Sequence, residues 1–371
     1  MKKILVICAL VSLCLFSCTG CTEGKKGPAS EKEQTVDKTG TQTGQTDPIT
    51  PAEAPEGLII VAYVTYWDTV IPDPTLVTHI NYAFGKVANT FDKVEISKDS
   101  RLKTIVQLKE KNEKLKVLLS IGGWGAGNFS EMAANQLLRK SFCEDCLAKC
   151  KSYGLDGIDL DWEYPTSNMA GISSSPSDTR NYTSLLKDLR EVLGNDYLIT
   201  MASSANAKYV DFGSCIQYMN FVNLMTYDMG RPPKHHSALY PSGGKTSLSV
   251  DESVELHNKA GVPYEKIVVG APFYCKAASS SDSADGTYWC KMGSLFEKYT
   301  EMWDDTAKVP YLADKDGNMA YTYDNPASIG LKAEYVIQKE LRGIMFWNWE
   351  GDNSTTWEMT HAIYDKFFPE N

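Results

Sequence analysis

The chain has 371 residues, 43% of them hydrophobic, with 37 Lys and Arg against 47 Asp and Glu for a formal net charge of −10. An acidic body without a basic stripe is a poor partner for nucleic acid, and neutral or cationic ligands suit it better. Its length and apolar content allow one large domain with a substantial core.

In chain order, Lys2 and Lys3 precede an apolar run from Ile4 to Phe16 that is too short to span a bilayer and reads as a secretory signal. The run ends in Leu15-Phe16-Ser17-Cys18, which resembles a bacterial lipobox. Residues 1–17 are therefore expected to be removed and Cys18 to be lipidated, giving an exported, membrane-anchored lipoprotein on the periplasmic side or the cell surface. A simple secretion signal, or processing at Cys21, is the alternative. Residues 18–57 carry Gly, Lys, Glu, Thr, Gln and Pro with almost no large apolar side chains, the composition of a flexible tether. A coil of that length spans roughly 35 Å root-mean-square.

From residue 58 to 371, eight runs rich in Val, Ile, Leu and aromatics read as buried strands. They are Leu58 to Thr65, His79 to Gly85, Lys116 to Ile121, Leu155 to Glu163, Tyr197 to Ser203, Phe221 to Tyr227, Lys266 to Phe273 and Leu341 to Trp349. Helical patterns lie between several of them. Gln136 to Tyr153 stops at Gly154, and Asp178 to Leu193 has Ser177 as its expected cap and Gly194 at its end. Eight strand–helix units in one domain predict an α/β fold, a (β/α)8 TIM barrel. The long link at about 274–324 contains alternating residues around Asp316-Gly317, the mark of a β-hairpin, so a small α+β insertion is expected between strands seven and eight.

Six cysteines remain beyond the leader and anchor. Cys143, Cys146 and Cys150 share one helix stripe and read as core packing rather than a zinc cluster. Cys275 and Cys290 can bridge in an oxidising compartment, although the sequence does not pair them. Adjacent His235 and His236 make a poor metal pair, and no cofactor or metal is expected.

The stretch Tyr153 to Pro165, YGLDGIDLDWEYP, crowds four carboxylates among apolar neighbours. Strand alternation puts Asp159, Asp161 and Glu163 on one face and Leu160 and Trp162 on the other, toward the helices. Three negative charges pointing into a barrel lumen repel one another, so at least one stays protonated. Glu163, last in the row and nearest the mouth where barrel sites lie, is the candidate general acid. The plain alternative is a solvated strand or an ion-pair network, but no Lys or Arg lies within the run and its flanks are apolar.

Asp156 to Glu163, DGIDLDWE, resembles the DxxDxDxE motif of family 18 glycoside hydrolases, the chitinases. Other strand ends agree in order: SIGG from Ser120 to Gly123, MTYD from Met225 to Asp228, IMFWNWEGD from Ile344 to Asp352, AYVTYWD from Ala62 to Asp68 and NYAF from Asn81 to Phe84. YDNPASIGLKAEYV, from Tyr323 to Val336, resembles the stretch leaving the family's insertion, and KHHSALY, from Lys234 to Tyr240, a loop that contacts neighbouring sugars. The resemblance implies hydrolysis of chitin or N-acetylglucosamine oligosaccharides by a monomeric enzyme, with the substrate's 2-acetamido group as nucleophile. It implies Glu163 as acid and base, Asp161 orienting the acetamido group, Asp159 tuning Asp161, and Tyr227 donating its hydroxyl.

Trp347 is expected to floor the reacting sugar, with Trp67, Trp124, Tyr63, Phe84 and Met225 lining the cleft. Asp228 either caps a turn or touches sugar. Asp156, Ser120, Gly122 and Gly123 are expected to be structural, the glycines allowing a sharp turn. Trp289 and Trp303 either wall the cleft or pack within the insertion. An endo-β-N-acetylglucosaminidase on glycoprotein glycans and a non-catalytic sugar-binding relative are the competing functions. The terminal acid Glu163 argues against the second, and the Trp162 to Pro165 context argues against the first.

Overall fold

The computed structural model describes residues 51–369, so the leader, Cys18 and the tether up to residue 50 lie outside the described residues. The last part of the expected tether is held by the body. Ala52 is buried, its N–H donates to Gln217 O at 2.7 Å and its carbonyl accepts Lys266 Nζ at 2.6 Å. The carbonyl of Glu53 accepts Asn220 Nδ2 at 2.7 Å. Ala52 and Glu53, inside the expected tether, are thus attached to the body, because their backbone polar groups find partners on the barrel.

Eight parallel strands follow: β1 Ile59–Thr65, β2 His79–Val87, β3 Lys116–Gly122, β4 Gly157–Asp161, β5 Leu198–Ser204, β6 Phe221–Met225, β7 Ile267–Pro272 and β8 Gly343–Trp347. They neighbour one another in chain order, and β1 pairs with both β2 and β8, which closes the sheet into the expected barrel. Alternation divides β1 as strand geometry requires. Ile60, Ala62 and Val64 pack outward with the helices, whereas Ile59, Val61 and Tyr63 join Phe84, Phe221, Val268 and Met345 in a separate core inside the barrel.

Helix α1 spans Asp99–Val106, α2 Gln136–Tyr153, α3 Asp178–Leu193 and α4 Pro326–Gln338. In α2 the Asn135 side chain accepts the N–H groups of Leu137 and Leu138, and Gly154 ends the helix in the left-handed region at φ 71°. Cys143, Cys146 and Cys150 are buried on its packed stripe. Ser177 does not cap α3. It has helical angles and no side-chain capping bond, and the Asp178 carboxylate instead accepts Ser175 N, Thr166 N and Ser130 Oγ.

Between β7 and β8 lies a four-stranded antiparallel sheet, Thr300–Asp304, Val309–Ala313, Met319–Thr322 and Lys276–Ala277, with a short helix Gly293–Lys298. Its Asp316-Gly317 hairpin is tied by Asp314 Oδ1, which accepts the N–H groups of Asp316 and Asn318 at 2.9 Å each. Trp289 packs in this unit, stacked on Tyr323, with its indole N–H donated to Glu358 at 2.6 Å. Cys275 and Cys290 are both free thiols, directed at the carbonyls of Ala284 and Glu350 respectively.

Candidate active site

The C-terminal ends of the strands surround a cleft of about 880 Å³. It takes Tyr63 and Trp67 from the β1 end, Phe84 and Lys86 from β2, Gly122 to Ala126 after β3, and Asp161, Glu163 and Tyr164 from β4 and its exit. Met225, Tyr227, Asp228, Tyr274 and Trp347 complete the far side.

The carboxylate row starts below the cleft. Asp159 is fully buried and accepts four donors: Ser120 Oγ at 2.7 Å and Tyr63 OH at 2.9 Å on Oδ2, Thr200 Oγ1 at 2.5 Å and Asn223 Nδ2 at 3.2 Å on Oδ1. Burial raises its carboxyl, and these hydrogen bonds work against the rise. Above it Asp161 is buried and its Oδ1 has no hydrogen-bond partner among the described residues. Burial first, then the Glu163 and Asp159 charges, push its carboxyl well above the usual range.

Glu163 lies two residues past the end of β4, which stops at Asp161 where the ladders to β3 and β5 run out. The expected strand was therefore two residues too long at each end, but Glu163 still faces the cleft. Burial raises its carboxyl to about 7; Tyr164 opposes that rise and Asp228 adds to it. Leu160 and Trp162 turn to the helices as alternation requires, Trp162 stacking on Phe129 at 5.3 Å. Asp156 lies outside the cleft. Its carboxylate accepts Val117 N and pairs with Lys109 at 2.8 Å and Lys116 at 3.6 Å, two cations from outside the run.

The Tyr227 hydroxyl points at Met345 Sδ, 3.8 Å away. Burial and the Asp161, Glu163 and Asp228 charges raise its phenol, so the hydroxyl keeps its proton. Asp228 begins the loop at φ 55° and lines the cleft, and its partners are the side chains of Tyr274, Lys276 and His236 rather than the backbone N–H groups that a turn cap would accept. Burial favours its neutral form, but His236, the Lys276 ammonium and the Tyr274 hydroxyl outweigh it and hold the carboxyl down at about 2. Lys276 Nζ is 3.1 Å away and the Tyr274 hydroxyl donates at 2.8 Å.

An aromatic floor underlies these groups. Trp347 stacks on Phe84 at 5.7 Å and lies 5.8 Å from Tyr63 and 6.2 Å from Trp67. Trp67 and Trp124 are 46% and 61% exposed, so their indole faces are open to a ligand. Trp349, also near a strand end, is fully buried, while Trp289 and Trp303 are absent from the cleft wall. His235 and His236 diverge: His235 Nε2 meets Asp304 at 3.2 Å, and His236 Nδ1 lies 3.6 Å from Asp228. Among the described residues no cluster of His, Cys, Asp and Glu could hold a metal ion.

The model of Glycosyl hydrolases family 18 matches residues 59–352, which include every strand of the barrel. The chain belongs to this family. Family 18 relatives include Chitinase A1 of Niallia circulans, 29% identical over 82% of this chain and 58% of its own, and Chitotriosidase-1 of Mus musculus, 32% identical over 78% and 72%. The chain thus spans little more than half of the first relative. Among solved structures, a family 18 N-acetylglucosaminidase from Paenibacillus barengoltzii is 35% identical, with a TM-score of 0.75 over 84% of this chain and all of its own.

Sequence reasoning missed several members of this family 18 site. Thr200 and Asn223 are polar residues inside apolar strands, and that interruption was a usable signal that something buried needs donors. Tyr164 and Tyr209, stacked at 4.7 Å on the cleft wall, together with Tyr274, come from loops whose spacing carries no periodic signal, and Lys276 comes from the two-residue edge strand of the insertion.

Proposed function

We propose that the protein is a retaining, substrate-assisted hydrolase of β-1,4-linked N-acetylglucosamine polymers or oligomers. The observation that carries this reading is a Glu163 carboxyl raised to about 7 beside a buried Asp161 whose Oδ1 has no partner among the described residues. Protonated Glu163 delivers its proton to the glycosidic oxygen. As that bond breaks, the acetamido oxygen of the same sugar closes on the anomeric carbon and forms an oxazolinium ring. Asp161 accepts the acetamido N–H and offsets the positive charge, and the Tyr227 hydroxyl steadies the acetamido oxygen. Glu163, now a carboxylate, takes a proton from the water that opens the ring, so the configuration is retained.

Asp228, the other carboxylate on the cleft wall, is already engaged by Tyr274 and Lys276, which favours a nucleophile supplied by the substrate. Trp347 offers an apolar face to the reacting sugar. The names of the chitinase relatives support the sugar class. In the test, Glu163→Gln abolishes turnover of a chromogenic chitobioside while binding persists; near-wild-type rates would remove Glu163 from the role. A polymer with glucosamine over Trp347 should not be cut there, and efficient cleavage or inverted products would refute acetamido participation.

The name of the Paenibacillus barengoltzii relative favours a second reading in which single N-acetylglucosamine units leave chain ends. Defined oligomers decide between them: monomer alone from the start indicates end-acting release, a ladder indicates internal cleavage. Export as a lipoprotein anchored at Cys18 belongs to the same proposal. Fatty-acid labelling of the native protein, lost in Cys18→Ala, supports it, and labelling that survives the change sinks it.

A further inference from the structure

A buried ion pair brackets the loop that carries Trp67. Arg101, on α1, donates from Nε to Thr65 O at 2.8 Å and from Nη2 to Val70 O at 2.9 Å, so one guanidinium holds the chain on both sides of Tyr66–Thr69. Glu350, three residues after Trp347, accepts from Thr65 N at 2.9 Å, Thr65 Oγ1 at 3.0 Å and Arg101 Nη2 at 3.4 Å, all through Oε1. Both side chains are nearly sealed from solvent, at 9% and 1% exposure.

Within the loop, Asp68 Oδ1 accepts Val70 N at 2.8 Å and Tyr66 N donates to Ala83 O at 2.7 Å. Trp67 itself is 46% exposed; its ring lies 5.0 Å from Tyr66, 6.2 Å from Trp347 and 6.4 Å from Phe84, and its indole also meets the Tyr288 hydroxyl. The bracket fixes the backbone on both sides of the residue from which this indole projects. The bracket also spans the seam where β1 meets β8, so it sets the Trp67 loop against the strand that ends in Trp347.

We propose that Arg101 and Glu350 are positioning residues that fix Trp67 as a sugar platform beside Trp347. The inference rests on the proposed function, because it takes the ligand to be an N-acetylglucosamine oligomer. A lysine at position 101 keeps the charge but has no planar fork to reach Thr65 O, Val70 O and Glu350 together. A glutamine at position 350 keeps one acceptor for Thr65 and removes the charge facing the guanidinium. Neither change touches the reacting atoms, so both should act on binding of a long substrate rather than on turnover.

The test is steady-state kinetics on chitotetraose or a longer oligomer with Arg101→Lys, Glu350→Gln, Trp67→Ala and the two Trp67→Ala double variants. Each single variant should raise KM about fivefold, the scale of one aromatic contact, with kcat within about twofold of the parent. In the Trp67→Ala background the bracket variants should add less than about twofold, because the group they position is gone. A merely structural role predicts equal effects in both backgrounds, and that result overturns the proposal. It is also overturned if KM is unchanged in both Arg101→Lys and Glu350→Gln, or if Trp67→Ala leaves KM unchanged. These outcomes are independent of Glu163→Gln, whose retained turnover would instead overturn the proposed chemistry. If one bracket variant fails to fold, the other is read alone by the same criteria.

Discussion

Gly122 gives the backbone of Asp161 its room: a Cβ at Gly122 would lie 2.0 Å from Asp161 O. The next N–H, of Gly123, donates to that same oxygen at 2.9 Å. The end of β3 is thus fastened to the carboxylate strand at the residue proposed to orient the acetamido group. Gly122 also has φ 129°, a conformation that side chains rarely adopt.

Gly122→Ala should therefore cost about 3 kcal/mol through combined overlap and strain. Because the displaced atom belongs to Asp161, activity of the surviving folded fraction should also fall. Chemical denaturation and assay of the same preparation check both, and a variant within 0.5 kcal/mol of the parent, roughly the level of an indifferent surface change, contradicts the tight approach.

Burial places Glu163 at about 7, and in the proposed mechanism the acid form protonates the leaving oxygen. Activity as kcat/KM should then fall as pH rises through about 7. In Asp228→Asn, a charge that raises Glu163 is removed, so this alkaline limb should move to lower pH. A limb that stays in place or moves upward contradicts the assigned coupling.

The same shift has a stability sign. The Glu163 carboxyl binds its proton more tightly folded than at its ordinary value of 4.5, so its cost to the fold is absent below 4.5 and grows to its full size above about 7. Glu163→Gln removes that cost and should stabilise the protein by on the order of 2 kcal/mol at pH 8, with little effect at pH 4. Thermal unfolding at the two pH values measures the difference; equal shifts at both would show that burial of this charge is not the cause.

Asp159→Asn replaces one acceptor oxygen by an N–H group facing two of the four donors that converge on this site. A loss of about 1–3 kcal/mol is expected from the unsatisfied buried groups, together with a fall in kcat. Thr200→Val, which removes one donor and leaves the carboxylate, should be milder in both. If the two variants behave alike, the network around Asp159 is not what holds it.

Much of the barrel was legible because buried parallel strands are continuous apolar runs, and all eight lie within two residues of where their composition put them. Local chemistry was less secure where two explanations fitted. Ser177 looked like a cap for α3, but the Asp178 carboxylate gathers the loop around it and leaves Ser177 in a helical conformation. Gly57 looked like the end of a tether because composition cannot show that the backbone of Ala52 finds partners in Gln217 O and Lys266 Nζ.

By itself, the order of residues determined the strand periodicity and the one-sided row of Asp159, Asp161 and Glu163, with Glu163 last in the row at the barrel mouth. Only closure of the barrel decided which donors reach Asp159, that Lys109 and Lys116 neutralise Asp156, and that Arg101 meets Glu350 across 249 residues of chain. Alternation is a property of neighbouring bonds and can be read along a line. Burial, which raises the carboxyls of Asp161 and Glu163, depends on everything that packs around them in space, and no stretch of sequence contains that sum.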